Sequence, residues 1–176
     1  MKKHLLVFLS VLALRVYAGD APTVFKVSEF TFTQPASWEW VQSSSPMRKA
    51  QLKVPDPKGK GAGEVVFFHF GPGDGGGTQA NVDRWLSQFK EGRDKINAKT
   101  EDKALGGHKV TYVNAEGTYI SGMPGGGTTS SMSDYALAGA IIESDKGSVF
   151  IKMTGPKELM KSSQSDFRGM VESALK

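Results

Sequence analysis

Between Glu64 and Phe70 the chain reads EVVFFHF, with apolar side chains on both phases of a two-residue period. A strand of that kind has no face to offer to water, so it belongs in the middle of a sheet that is covered on both sides. The flanking sequence supplies further strands. Phe30-Thr31-Phe32 alternates, Gln34-Pro35-Ala36-Ser37 interrupts, and Trp38-Glu39-Trp40-Val41 resumes. From Arg48 to Val54 the alternation puts Ala50, Leu52 and Val54 on one face and Lys49, Gln51 and Lys53 on the other. Strict alternation also puts Arg48 on the apolar face, where burial requires a carboxylate such as Glu64 or Asp83, or several carbonyls, as partners. Pro55 to Gly61 reads as a turn.

At Thr78 the period changes. Val82, Trp85, Leu86 and Phe89 are spaced i, i+3, i+4 and i+7, one apolar stripe of a helix, with Thr78 as its expected N-cap. The segment from Lys90 to Gly107 is polar and reads as irregular, Val110 to Tyr119 as a strand, and Ser121 to Ser133 as a Gly/Ser/Thr-rich loop. Two strands, Tyr135–Glu143 and Ser148–Thr154, flank Ser144-Asp145-Lys146-Gly147, a hairpin signature. Phe167, Met170, Val171 and Ala174 form the stripe of a closing helix. Runs of strands with hairpin links and few helices predict an α+β fold, an antiparallel sheet with packed helices, rather than repeated βαβ units. The expected domain is single and spans residues 19–176.

The first eighteen residues read differently. Lys2, Lys3 and His4 precede an apolar run from Leu5 to Leu14, and Val16-Tyr17-Ala18 offers small residues for cleavage. This is the pattern of a secretory signal peptide cleaved near Ala18, and the apolar run is too short to span a bilayer. The expectation is therefore export to the periplasm or the exterior, with no transmembrane segment in the mature chain. It also explains the charge. The whole chain carries 22 basic and 18 acidic residues; removing Lys2, Lys3 and Arg15 leaves 19 against 18, close to neutral. No Lys/Arg cluster interleaved with aromatics remains to suggest nucleic acid. The absence of cysteine excludes disulfides, thiolate zinc sites and thiol nucleophiles. His69 and His108 have no clustered carboxylates, so neither a metal site nor another cofactor is expected. No G-x-S-x-G elbow is present, and no catalytic residue is assigned.

Several of these features occur together in known proteins. The opening strand, the Pro-x-x-Trp turn at Pro35 and Trp38, the antiparallel sheet with one inserted helix, and the closing helix after a hairpin resemble the PsbP-like α/β/α sandwich. Met47-Arg48, Phe70-Gly71-Pro72-Gly73, Asn81-x-x-Arg84-Trp85-x-x-Gln88-Phe89 and Gly155-Pro156 are similar to a group of exported bacterial proteins of unknown function. The resemblance covers about residues 25–175. It implies a protein that works by docking onto larger assemblies rather than by catalysis, and it carries no site residue across.

The stretch most suggestive of chemistry is Gly71-Pro72-Gly73-Asp74-Gly75-Gly76-Gly77, between the central strand and the helix. It satisfies G-x-G-x-x-G in the context a dinucleotide fingerprint demands, and free amides at a helix N-terminus suit an anion. Against that, Gly77 stands where a phosphate-binding lysine belongs, Asp74 adds negative charge, and Pro72 removes a donor. Two readings follow. In the first, the protein is an exported, non-enzymatic binding module for a protein partner or a small ligand. In the second it is an anion- or nucleotide-binding protein or an enzyme. The candidate ligand-binding residues in either case are Gly71, Gly73, Asp74, Gly76, Gly77, Arg84 and Arg48.

Overall fold

The computed structural model describes residues 23–59, 61–123 and 126–176; the candidate signal peptide lies outside them. Seven strands form one antiparallel sheet. In chain order they are β3 (Glu39–Trp40), β4 (Arg48–Pro55), β5 (Ala62–His69), β6 (Lys99–Leu105), β7 (His108–Met123), β8 (Gly126–Ile142) and β9 (Val149–Pro156). Across the sheet they run β3-β4-β5-β9-β8-β7-β6. The chain therefore meanders through β3, β4 and β5, crosses one face through α1 (Thr78–Leu86) to the far edge, and meanders back until β9 closes against β5. EVVFFHF lies in the centre, as its two apolar faces require. Its register with β9 runs from Glu64 opposite Thr154 to His69 opposite Val149.

Each face has its own cover. On one, a separate hairpin of β1 (Val24–Val27) and β2 (Phe30–Thr33) packs with α2 (Lys157–Ser162) and α3 (Gln164–Ser173) over Leu52, Phe67, Ile151 and Met153. Phe25 and Phe32 of the hairpin meet the Phe67 ring edge-on at 5.1 Å. The Thr33 amide donates to Ser173 Oγ at 2.9 Å, tying the hairpin to α3. On the other face, the α1 stripe of Val82, Trp85 and Leu86 joins Phe89 and Ile96 over Val113, Leu137, Ile141 and Phe150. Trp85 lies directly on the backbone of Gly139, where a Cβ would come within 2.3 Å of its ring.

Four expectations change. Residues 90–107 are not irregular throughout, since Lys99–Leu105 forms the edge strand β6. Its side chains are mostly solvated and four of the seven are charged, which suits an edge but erases the alternation that reveals a strand. The described parts of the Ser121–Ser133 stretch, up to Met123 and from Gly126, are strand rather than loop. They are the far end of a long ribbon in which β7 and β8 remain paired, Tyr119 opposite Met132 and Ile120 opposite Ser131. The ribbon has little to bury because it runs beyond β9, whose last partner on β8 is Tyr135. Thr78 is not the N-cap. Gly77 takes that position, and the Thr78 hydroxyl instead donates to Glu143 Oε1 at 2.7 Å. The closing helix is preceded by a short one, α2, with Ser163 between them.

Candidate functional site

Arg48 gives a fifth correction. A β-bulge between Arg48 and Ala50 shifts the register, so Arg48 lies opposite Phe68 while Ala50 lies opposite Phe67. The extra residue turns Arg48 off the buried face and onto the one that carries α1. There its Nη1 donates to Glu64 Oε1 at 2.6 Å and to Gln51 Oε1 at 3.0 Å, and Gln51 Nε2 donates to the same Glu64 oxygen at 2.8 Å. The predicted pairing with Glu64 is present. It is partly solvated rather than sealed, with 32% of the Arg48 side chain exposed.

Beside this pair lies a residue that the sequence reading passed over. Lys152 sits in the middle of β9 on the α1 face, between Val66 of β5 and Gly139 of β8. Its Nζ donates to Gln88 Oε1 at 3.1 Å and to the Tyr119 hydroxyl at 3.2 Å, and that hydroxyl donates to Gln88 Oε1 at 3.2 Å. Gln88 is held in position by the backbone. Just beyond α1 the chain runs along the outer edge of β7, where the Ile120 amide donates to the Gln88 carbonyl at 2.7 Å and the Lys90 amide to the Thr118 carbonyl at 2.9 Å. Arg84 and Gln88 are spaced i, i+4, as on one face of a continuing helix. The helix ends before Gln88, which is why that side chain turns inward.

Burial is the main reason that Lys152 holds its proton less tightly than an ordinary lysine, down to about 8, and the positive charges of Arg48 and Arg84 add to the effect. Glu64 opposes it. Burial likewise pushes the Tyr119 phenol up to about 12, so it stays a neutral hydroxyl. Among the described residues no carboxylate lies in ion-pairing range of Lys152 Nζ, because Glu64 is engaged by Arg48. Arg48, Glu64, Gln88, Tyr119, Tyr135 and Lys152 line a cleft of about 470 Å³ that opens beneath the overhanging ribbon, with Met132 at its rim. The signal for Lys152 was a charge set in the apolar strand Ser148–Thr154, SVFIKMT.

The glycine loop forms a separate place. Asn81, fully buried, donates through Nδ2 to the carbonyls of Gly75 at 2.9 Å, Gly76 at 3.4 Å and Gly77 at 3.1 Å. Gly75 and Gly76 both have positive φ, 83° and 79°, which permits this inward turn of carbonyls. Arg84 Nη2 donates to Asn81 Oδ1, so Arg84 and Gly76–Gly77 are brought together through one amide side chain. Gly73 and Asp74 lie on an exposed turn, and the Asp74 amide donates to the Gly71 carbonyl at 3.3 Å. His69 is drawn away to the β8–β9 turn, its Nε2 donating to the Lys146 carbonyl at 2.9 Å. Of the seven predicted residues, only Arg48 lines the cleft; Arg84 reaches it through its charge.

Comparison with solved structures bears on the fold. Cyanobacterial PsbP (CyanoP) from Synechocystis superposes with a TM-score of 0.53 at 12% sequence identity, over 92% of this chain and 96% of that one. The fold is PsbP-like. A Pseudomonas aeruginosa protein of unknown function matches this PsbP-like chain at 13% identity over 88% of its length and 96% of the other, with a TM-score of 0.49. LpqN of Mycobacterium tuberculosis, a protein involved in cell envelope biogenesis, matches at 15% identity over 88% of this chain and 84% of its own, with a TM-score of 0.47. No family model and no curated protein sequence matches the chain.

Proposed function

We propose that this PsbP-like chain is an exported, non-enzymatic binding module that engages a protein partner or small ligand at the cleft beneath the β7–β8 ribbon. The observation that carries the reading is the cleft itself, in which Arg48, Lys152 and Tyr119 converge on a face otherwise closed by α1. Concave surfaces with a few converging polar groups on an apolar wall are where ligands bind. Export rests on the basic, apolar and small-residue order of the first eighteen positions, and predicts a mature terminus near Gly19 by N-terminal sequencing; retained Met1 would contradict it. No helix among the described residues is long and apolar enough to cross a membrane.

A photo-crosslinking side chain in place of Met132 tests the binding reading in living cells. The reading expects discrete adducts from that position and none from the same group in place of exposed Lys26, on the opposite face. Equal labelling from both, or none from either, contradicts it.

The alternative reading places an anion or nucleotide at Gly71, Gly73, Asp74, Gly76 and Gly77, with Arg84 beside them. The hollow bordered by Gly76, Gly77 and Thr78 also contains Glu143 and Asp145, two carboxylates that oppose a phosphate, and its one lysine, Lys109, is engaged by Asp102 and Glu143. Thermal unfolding with millimolar nucleotide is expected to show no upward shift. A rise of several degrees would favour the loop over the cleft.

A further inference from the structure

We infer that the cleft is a carboxylate site, in which the ammonium group of Lys152 receives one carboxylate oxygen from a ligand's monoanionic carboxyl group. The inference rests on the binding reading above and names the chemistry that such binding would use.

Lys152 carries a charge that is half withdrawn from water and has no counter-ion in ion-pairing range among the described residues. Lys152 sits on a strand between Val66 and Gly139, and its hydrogen bonds go to neutral oxygens only, Gln88 Oε1 and the Tyr119 hydroxyl. An ammonium group has three donors, so one N–H remains unassigned. The three cations that act on this cleft, Lys152, Arg48 and Arg84, face one carboxylate, Glu64, and that carboxylate is occupied by Arg48 and Gln51. A half-buried charge of this kind is stabilised by an opposite charge, which among the described residues Glu64 supplies only from beyond ion-pairing range and a ligand can supply in contact. The guanidinium of Arg48 strengthens the case, since only Nη1 is spent on Gln51 and Glu64 and its other donors are unassigned.

The same residues limit the charge the ligand can bear. The Glu64 carboxylate lines the same cleft and repels a dianion more than a single carboxylate, so phosphate monoesters are disfavoured. Tyr119 lies alongside, its ring 5.9 Å from Lys152 Nζ and stacked 6.4 Å from Tyr135, forming an aromatic wall suited to the apolar stem that carries the carboxylate. Such a stem could belong to an acidic side chain of an extended peptide or to a small free acid; the chemistry at Lys152 is the same.

Amide chemical shifts of Val66, Tyr119 and Gly139 in the purified protein read the test. Butyrate represents the free acid, and an acetylated, amidated peptide Gly-Ser-Glu-Ser-Gly the acidic side chain, with Gln replacing Glu as the neutral control. The expected result is a saturable shift with at least one acidic probe at pH 7, weakened about tenfold or more by Lys152→Met and by the neutral control. Tighter binding of the peptide assigns the source to a protein chain, and equal or tighter binding of butyrate to a free acid; both support the inference. No saturable shift, or an unchanged affinity in Lys152→Met, overturns it. Lys152→Gln, which keeps a donor without the charge, guards against misfolding and is expected to bind as weakly as Lys152→Met. If adducts at position 132 persist while every acidic probe fails, the carboxylate assignment falls and the binding reading stands.

Discussion

Lys152 occupies a strand position that an aliphatic residue would fill at lower cost, and its proton affinity records that cost. Its folded value near 8 lies below the 10.5 of an ordinary lysine. Below pH 8 the group is protonated in both states and contributes no slope. Between about 8 and 10.5 the unfolded chain binds more protons than the folded one, so stability rises with pH across that window. Lys152→Met removes this dependence. Urea unfolding should find the variant more stable than the parent at pH 7.5, with the advantage shrinking by about 1–2 kcal/mol on going to pH 10 for this partly exposed group. A variant less stable than the parent at pH 7.5 would make the lysine a structural member of the fold. Gly139 makes the opposite case at the same scale. A methyl group there meets the Trp85 ring at 2.3 Å, so Gly139→Ala should lose about 1–3 kcal/mol of unfolding free energy. A loss below half a kcal/mol would mean that Trp85 yields freely.

The connection from β5 to α1 is ordered by one side chain rather than by its glycines alone. Asn81→Ala deprives three carbonyls of their donor and Arg84 of its acceptor. The variant should lose about 2 kcal/mol, with faster amide hydrogen exchange confined to residues 71–80. Unchanged exchange there would show that the glycines hold the loop unaided. This loop also illustrates what a sequence reveals at the level of elements. The glycine pattern and helix stripe were legible, because turn chemistry and period are local. Asn81 was visible only as part of a resemblance, since its partners lie before it on a turn whose course is set in three dimensions. For β6 and the ribbon the difficulty was different. Lys99–Leu105, and residues 121–122 and 129–133 of the ribbon, are strand whose side chains bury little, and the hydrophobic period that marks a strand is a record of burial. Arg48 was placed on the wrong face because one bulge residue reverses the alternation on which the inference depends.

Across the whole molecule, the two meanders meet only where β9 pairs with β5, and Lys152 and Glu64 both belong to that seam. The cleft therefore lies where the fold closes, bordered by Gln88 of the turn after α1 and by a ribbon that extends past the sheet. The antiparallel α+β sandwich was readable from EVVFFHF, the hairpin signature and the two helical stripes. The cleft was not, since it gathers residues from β4, β5, β7, β8, β9 and the turn after α1. What faces Lys152 there is Arg48 from β4, Glu64 from β5, Arg84 from α1 and the neutral Tyr119 hydroxyl from β7. Burial holds the Tyr119 phenol up at about 12, so a change followed at Lys152 Nζ between pH 7 and 10 is that of the ammonium group itself. The direct measurement is the NMR titration of Lys152 Nζ in the purified protein, alone and saturated with the acidic probe that binds more tightly. The free protein should titrate near pH 8, and the complex should titrate higher because the bound carboxylate supplies the missing counter-charge. A free-protein midpoint at 10.5, or one that the acidic probe leaves in place, would contradict the account.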